Sequence, residues 1–223
     1  MTNFELFIFD LDGTLVETAP EIADAVNDTL AERGWSQVTQ QQVNDWIGHG
    51  TLSLLLEAVA SSTAQTVQAV KLSPDMGDLV AAYNRHYERR CGTRSALYPG
   101  VQQALNGLRA LGKKLAIVTN KETRYTRAVM AAHNLDDAVD WVICGDTLPT
   151  KKPDPAGVLD CLKGFDIAPE RALFVGDSSI DVATARNAGV AVWVLPYGYN
   201  MGQPIANCGA DRLIDSCLQL LDH

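Results

Sequence analysis

Short apolar runs recur along this chain of 223 residues, and over its second half they alternate with amphipathic stretches. Leu6-Phe-Ile-Phe9 and the segments 114–118, 140–144, 172–175 and 190–194 read as strands. Between and around them the spacing predicts helices near 101–111, 123–134, 155–163 and 180–188. Regular alternation of this kind implies parallel βαβ units. Residues 17–95 differ, with almost no strand pattern. Pro20 to Arg33 reads as a helix with Ile22, Val26, Thr29 and Leu30 along one face and Gly34 as its stop. Thr39 caps a short helix ending near Ile47, and Thr51–Ala60 and Met76–Arg90 read as two more. The expected fold class is α/β. A Rossmann-like parallel-sheet core (residues 1–16 and 96–223) is interrupted by a helical cap (residues 17–95), with hinges near Glu17–Pro20 and Ser95–Pro99.

Three of the strand-like runs end on residues that carry chemistry. Leu6–Phe9 leads into Asp10-Leu-Asp-Gly-Thr14, Leu115–Val118 into Thr119-Asn120, and Ala172–Val175 into Gly176-Asp-Ser-Ser-Ile-Asp181. If these strands are parallel neighbours, one sheet edge collects a hydroxyl and several carboxylates, in the crevice where open α/β sheets bind ligands. Lys152-Pro153 adds a cation. Asp10, Asp12, Asp177 and Asp181 would repel one another strongly without a metal, and hard oxygen ligands of this kind suit Mg²⁺. One carboxylate can be a nucleophile that forms an aspartyl-phosphate. The second, two residues on, can be the general acid and base. Gly13 permits a tight turn and close approach to a phosphate. The Thr119 hydroxyl and the Lys152 ammonium can hold phosphate oxygens, since phosphoryl transfer needs mostly positioning and electrostatic stabilisation. Each feature has a plainer alternative: Asp-x-Asp-Gly as a simple turn, Thr119 or Asp181 as a helix cap, a lysine as a solvated charge.

Taken together, Asp10-Leu-Asp-Gly-Thr14, Val118-Thr-Asn120, Lys152-Pro-Asp-Pro155 and Gly176-Asp-Ser-Ser-Ile-Asp181 resemble, in order, the four motifs of the haloacid dehalogenase-like phosphohydrolase superfamily. Trp46-Ile-Gly-His-Gly50, Leu97-Tyr-Pro-Gly100, Gly145–Pro155 and Tyr197-Gly-Tyr-Asn200 are similar to the phosphoglycolate phosphatase family within it. The resemblance implies Mg²⁺-dependent hydrolysis of a small phosphomonoester, 2-phosphoglycolate. It implies Asp10 as nucleophile, Asp12 as acid and base, and Thr119 and Lys152 on the phosphoryl group. It also implies Mg²⁺ held by the Asp10 side chain, the Asp12 backbone carbonyl and Asp177, with Asp181 in support. Asn120 positions a loop or orients substrate. Gly48-His49-Gly50 forms a flexible stretch able to close over substrate, with His49 either facing it or lying on the surface. Alternatives are a phosphomutase or phosphatase of another sugar phosphate, and, from a different class, a non-catalytic phosphometabolite-binding protein. A haloalkanoic acid dehalogenase is disfavoured because Asp12 is present.

Composition narrows the setting. The content of 47% hydrophobic and 20% charged residues is ordinary for a soluble protein. A net charge of −9 argues against a nucleic-acid partner and means that an anionic substrate must be attracted locally. Five cysteines, odd in number and without Cys-x-x-Cys, suggest reduced thiols and a cytoplasmic location. No run reaches the length of a membrane span and no signal peptide is evident. The expected assembly is a monomer or homodimer. Cys144, Trp141 and Trp193 read as packing residues, Lys151 as surface, and Arg85, Arg89, Arg90 and Arg94 as a charged helix face. The stretch Tyr197–Asn200 reads as a loop near the rim of the site.

Overall fold

The structure, a computed structural model, describes residues 4–222. Residues 1–3 of the expected core segment, and His223, lie outside the described residues. The chain opens with β1 (Leu6–Phe9), whose side chains are all buried. A short strand β2 (Val16–Glu17) follows, then helices α1 (Ala19–Glu32), α2 (Gln40–Trp46), α3 (Thr51–Thr63), α4 (Val67–Lys71) and α5 (Met76–Arg90). Next come β3 (Ala96–Leu97), α6 (Val101–Ala110), β4 (Lys114–Val118), α7 (Thr123–Ala132) and β5 (Trp141–Ile143). Last are α8 (Ala156–Phe165), β6 (Ala172–Gly176), α9 (Ser179–Ala188), β7 (Ala191–Val194) and β8 (Arg212–Leu213).

The sheet has six strands in the order β5-β4-β1-β6-β7-β8, every pairing parallel. Strand β1 lies between β4 and β6, with Phe9 in register with Ile117 on one side and Val175 on the other. A central parallel strand is covered on both faces, which is why Leu6–Phe9 is an unbroken apolar run. Alternation sends Phe7 and Phe9 into one apolar layer with Leu105, Leu108 and Val129 of α6 and α7. Leu6 and Ile8 enter the opposite layer with Val158 and Leu162 of α8 and Ala185 of α9. After β5 the chain crosses back past β1 to add β6, so the strand order reverses beside β1. A crevice opens at the carboxyl ends of strands at such a switch point.

Helices α1 to α5 gather around an apolar cluster of their own, including Val26, Leu30, Val43, Leu55, Val59 and Tyr83. The Thr39 cap is present in full, with Gln42 returning the hydrogen bond to the Thr39 backbone. The charged face of α5 turns to α1: Arg85 pairs with Glu32 and Arg90 with Asp28, while Arg94 beyond the helix pairs with Asp24. Arg89 is exposed. The two chain crossings at residues 16–17 and 96–97 form an antiparallel ribbon, Val16 opposite Leu97 and Glu17 opposite Ala96. The buried carboxylate of Glu21 reinforces it, accepting from the backbone N–H groups of Gly92, Arg94 and Ser95. Neither this ribbon, nor α4, nor β8 was expected from the sequence, because strands of two residues and a helix of little more than one turn carry no readable periodicity. Cys144 is buried as expected, and Trp193 packs edge-on against Phe4. Trp141 is 37% exposed and meets Phe165 at the sheet edge.

Candidate active site

Asp10 leaves β1 as its backbone N–H donates to the Val175 carbonyl, extending the ladder by one residue. Its carboxylate accepts from the N–H of Leu11 at 2.7 Å and stands 2.8 Å from Lys152 Nζ. The following turn requires glycine: at Gly13, φ is +86°, and a Cβ would come within 2.3 Å of Asp177 Oδ2. Gly198 closes on Asp177 from the other side, where a Cβ would lie 2.2 Å from the same oxygen. Asp177 itself accepts from the Thr14 hydroxyl and, at 2.6 Å, from the Tyr199 N–H. The Tyr199 hydroxyl in turn accepts from the N–H of Ala19 at the start of α1. The stretch Tyr197–Asn200 is therefore built into the site wall.

Lys152, only 5% exposed, is held at 2.7 Å by Asp181 Oδ1 as well as by Asp10. Burial disfavours its charge, but the two carboxylates outweigh that and hold its pKa above the ordinary lysine value. The second Asp181 oxygen accepts from the N–H groups of Asp177 and Ser178 and from the Ser178 hydroxyl. Asp181 is thus a cap of α9 and an anchor for Lys152 at once. Asp10, Asp177 and Asp181 each place a carboxylate oxygen within 4.8 Å of the others. Burial pushes the Asp10 carboxyl up to about 6; Lys152 pulls it down, and the negative Asp181 and Asp12 add to the rise. Burial, then Asp181 and Asp10, raise Asp177 well above the usual carboxylate range. So much converging negative charge with hard oxygen donors fits a divalent cation. Asp10 and Asp177 fit as direct ligands, whereas both Asp181 oxygens are already engaged by protein donors.

Asp12 lies across the opening. Its carboxylate accepts from the Thr18 hydroxyl at 2.7 Å and from Lys121 Nζ at 2.9 and 3.1 Å. Lys121 also donates to the Tyr87 hydroxyl of α5 at 2.6 Å. The sequence reading did not single out Lys121, Tyr87, Thr14, Thr18 or Tyr199 for a role. Thr14 and Tyr199 stand inside motifs already in view, but Lys121 had only its place beside Thr119-Asn120 to mark it. Thr119 is buried, with its hydroxyl oxygen accepting from the Lys121 N–H at 3.2 Å. Asn120 Nδ2 donates to the carbonyls of Lys152 and of Gly48, tying β4 to the loop before α3. Its Oδ1 is buried without a hydrogen-bond partner among the described residues.

A cavity of about 80 Å³ joins these groups. Asp10, Asp12, Thr119, Asn120, Lys121 and Lys152 line its floor, and Gly48, Gly50, Thr51, Leu54, Tyr83 and Tyr87 its roof. His49 is exposed and outside this lining, so the reading that its imidazole faces substrate is not what the structure places there. The reason is local: positive φ at both Gly48 and Gly50 turns the loop so that the flanking backbone, not the side chain between, faces inward. The His49 carbonyl accepts from Lys151, which is exposed as expected but touches this loop.

Comparison with known proteins agrees with this geometry. A phosphoglycolate phosphatase of Haemophilus influenzae is 38% identical over 220 residues, covering 99% of this chain and 98% of that protein. One from Pseudomonas syringae pv. tomato is 36% identical, covering 97% and 78%. A crystal structure from Haemophilus somnus, described as a predicted phosphoglycolate phosphatase, superposes with a TM-score of 0.92 at 34% identity, covering 100% of this chain and 98% of that one. CbbY from Rhodobacter sphaeroides, solved with phosphate, gives 0.77 at 26% identity over 97% and 96% of the two chains. The haloacid dehalogenase-like hydrolase family matches residues 7–195, and with those residues carrying most of the sheet, the aspartates and Lys152, the chain belongs to that family.

Proposed function

We propose that this protein is a Mg²⁺-dependent phosphomonoester hydrolase whose substrate is 2-phosphoglycolate, released as glycolate and phosphate. The carrying observation is the juxtaposition of Asp10 and Asp12 at the end of β1 with Lys152 Nζ 2.8 Å from Asp10, in one small cavity. Asp10 attacks phosphorus in line and becomes an aspartyl-phosphate, while Asp12 protonates the departing oxygen. Asp12 then takes a proton from the water that attacks the phosphoenzyme. Thr119 and Lys152 hold the phosphoryl oxygens as their charge redistributes. Mg²⁺, held by the Asp10 and Asp177 carboxylates and the Asp12 carbonyl, supplies charge neutralisation and orientation. Asp181 keeps Lys152 aimed at Asp10.

Residues 1–16 and 96–223 act as the catalytic core and residues 17–95 as a cap. The cap shields the reaction from bulk water and shapes the leaving-group side through Gly48 and Gly50. A space of about 80 Å³ is small beside the ~300–1,000 Å³ typical of pockets for larger ligands. It therefore suits a substrate of few heavy atoms. The likeness, over nearly all of this chain, to phosphatases named for phosphoglycolate supports the same choice. The second reading, a sugar-phosphate phosphatase, is favoured by the likeness to CbbY, also solved with xylulose 1,5-bisphosphate. The test is phosphate release from a panel of small phosphomonoesters with Mg²⁺ and with chelator. Preference for 2-phosphoglycolate, lost in chelator, is expected. Preference for pentose or hexose phosphates selects the second reading, and no release from any substrate overturns both.

A further inference from the structure

The core machinery engages only the phosphoryl group, which leaves the recognition of the leaving group to be found. Among the cavity-lining residues, Lys121 and Lys152 are the cations, and Lys152 is shared between Asp10 and Asp181. The arginines at 85, 90 and 94 pair instead with acids of α1. Lys121 is a buried ammonium, with a side chain 5% exposed, between the carboxylate of Asp12 and the Tyr87 hydroxyl. Burial keeps that hydroxyl protonated. The acidic neighbour Glu122, also in the lining, is paired with Arg124.

Resting on the function proposed above, we propose that Lys121, with the Tyr87 hydroxyl beside it, binds the carboxylate of the substrate's leaving group and so sets specificity. The argument is one of reach. An acid that protonates the leaving oxygen stands about 2.7 Å from it. Lys121 Nζ is 2.9 Å from that same acid, Asp12. In a two-carbon phosphoester the carboxylate oxygens lie only about 3 Å from the leaving oxygen, by ordinary bond lengths. A further hydrogen bond of about 2.8 Å closes the distance to Lys121, whereas Lys152 is already held by Asp10 and Asp181. An ammonium has three N–H donors. One can serve both Asp12 oxygens, one faces Tyr87, and the third is available to the ligand. Ethyl phosphate reaches the same place with a methyl group, leaving the buried ammonium without that anion. Because Lys121 follows β4 and Tyr87 belongs to α5, the clamp joins the sheet to the helical layer over it.

The test compares kcat/KM for 2-phosphoglycolate and ethyl phosphate in the wild type, Lys121→Met and Tyr87→Phe. The wild type should prefer 2-phosphoglycolate by at least ~10²-fold, since a site built around a polar group rejects the analogue lacking it. Lys121→Met should lower that preference at least ~10-fold, mainly through a higher KM for 2-phosphoglycolate. Should Lys121→Met not fold, Tyr87→Phe, which keeps the ring and the lysine, should lower the preference about threefold. Lys121 acting only on Asp12 would reduce turnover of both substrates alike. An unchanged preference in foldable variants therefore overturns this proposal and leaves the phosphatase reading standing. A wild type that releases no phosphate from either ester overturns the phosphatase reading itself.

Discussion

Lys152 and Asp181 meet at 2.7 Å with side chains 3% and 0% exposed. Both oxygens of Asp181 are consumed by Lys152 and the Asp177–Ser178 turn. Asp181→Asn should therefore destabilise the fold, by up to about 3 kcal/mol because one partner of a buried pair is removed. It should shift the Mg²⁺ requirement for activity less than Asp177→Asn does. Chemical denaturation and a Mg²⁺ titration of activity measure the two effects. A larger metal shift for Asp181→Asn would instead make Asp181 a direct ligand.

The two aspartates after β1 have separable tasks. Asp10→Asn keeps the volume but removes the nucleophile, and turnover should fall at least ~10³-fold. Asp12→Asn leaves the nucleophile in place and removes proton transfer, worth ~10²–10⁴-fold. Both proteins should fold with ordinary circular dichroism. Near-wild-type turnover by purified Asp10→Asn would falsify the covalent route.

The raised carboxyls make stability depend on pH and metal together. Asp10 rises from an ordinary 3.8 to about 6 in the fold, and Asp177 rises too. A raised folded pKa means that the proton-bound form is favoured, so the contribution is fully present below pH 3.8 and lost as pH passes about 6. The metal-free protein should therefore lose stability between those values, and Mg²⁺ should restore it above them. Melting temperatures at pH 5 and pH 7.5, with Mg²⁺ and with chelator, test this. The Mg²⁺ increment is expected to be larger at pH 7.5 and smaller in Asp177→Asn. Equal increments at both pH values would count against cation binding by these carboxylates.

Gly13 is constrained twice, by φ of +86° and by Asp177 Oδ2 at 2.3 Å from any Cβ. Gly34 has φ of +68° with nothing within 4 Å, and so shares only the first constraint. Gly34→Ala should cost about 1 kcal/mol and leave activity intact. Gly13→Ala should cost more and raise the Mg²⁺ concentration needed for half-maximal rate, because it displaces Asp177. Melting curves and Mg²⁺-dependent rates on the pair separate backbone strain from displacement. Matching behaviour of the two variants would show that contact with Asp177 is unimportant.

The apolar runs ending at Phe9, Val118 and Val175 were legible in the sequence because strands covered on both faces are apolar throughout. Asp10, Asp12, Thr119 and Asp177 were legible because each sits at or just beyond the end of such a run, where residue type and position carry the chemistry together. The helices of 19–90 were legible by their spacing, apart from the five-residue α4. Other relationships arise only in three dimensions. Lys121 reaches Asp12 across 109 positions of chain, and Glu21 reaches Gly92 across 71. Thr14 and Tyr199 converge on one carboxylate from distant parts of the sequence. His49 turns outward because of the two glycines beside it. Periodicity and local motif determine which elements form and what chemistry their ends carry. Which side chains share a proton or a charge is decided by strand order and helix packing, since hydrogen bonds act over about 3 Å and are indifferent to separation along the chain.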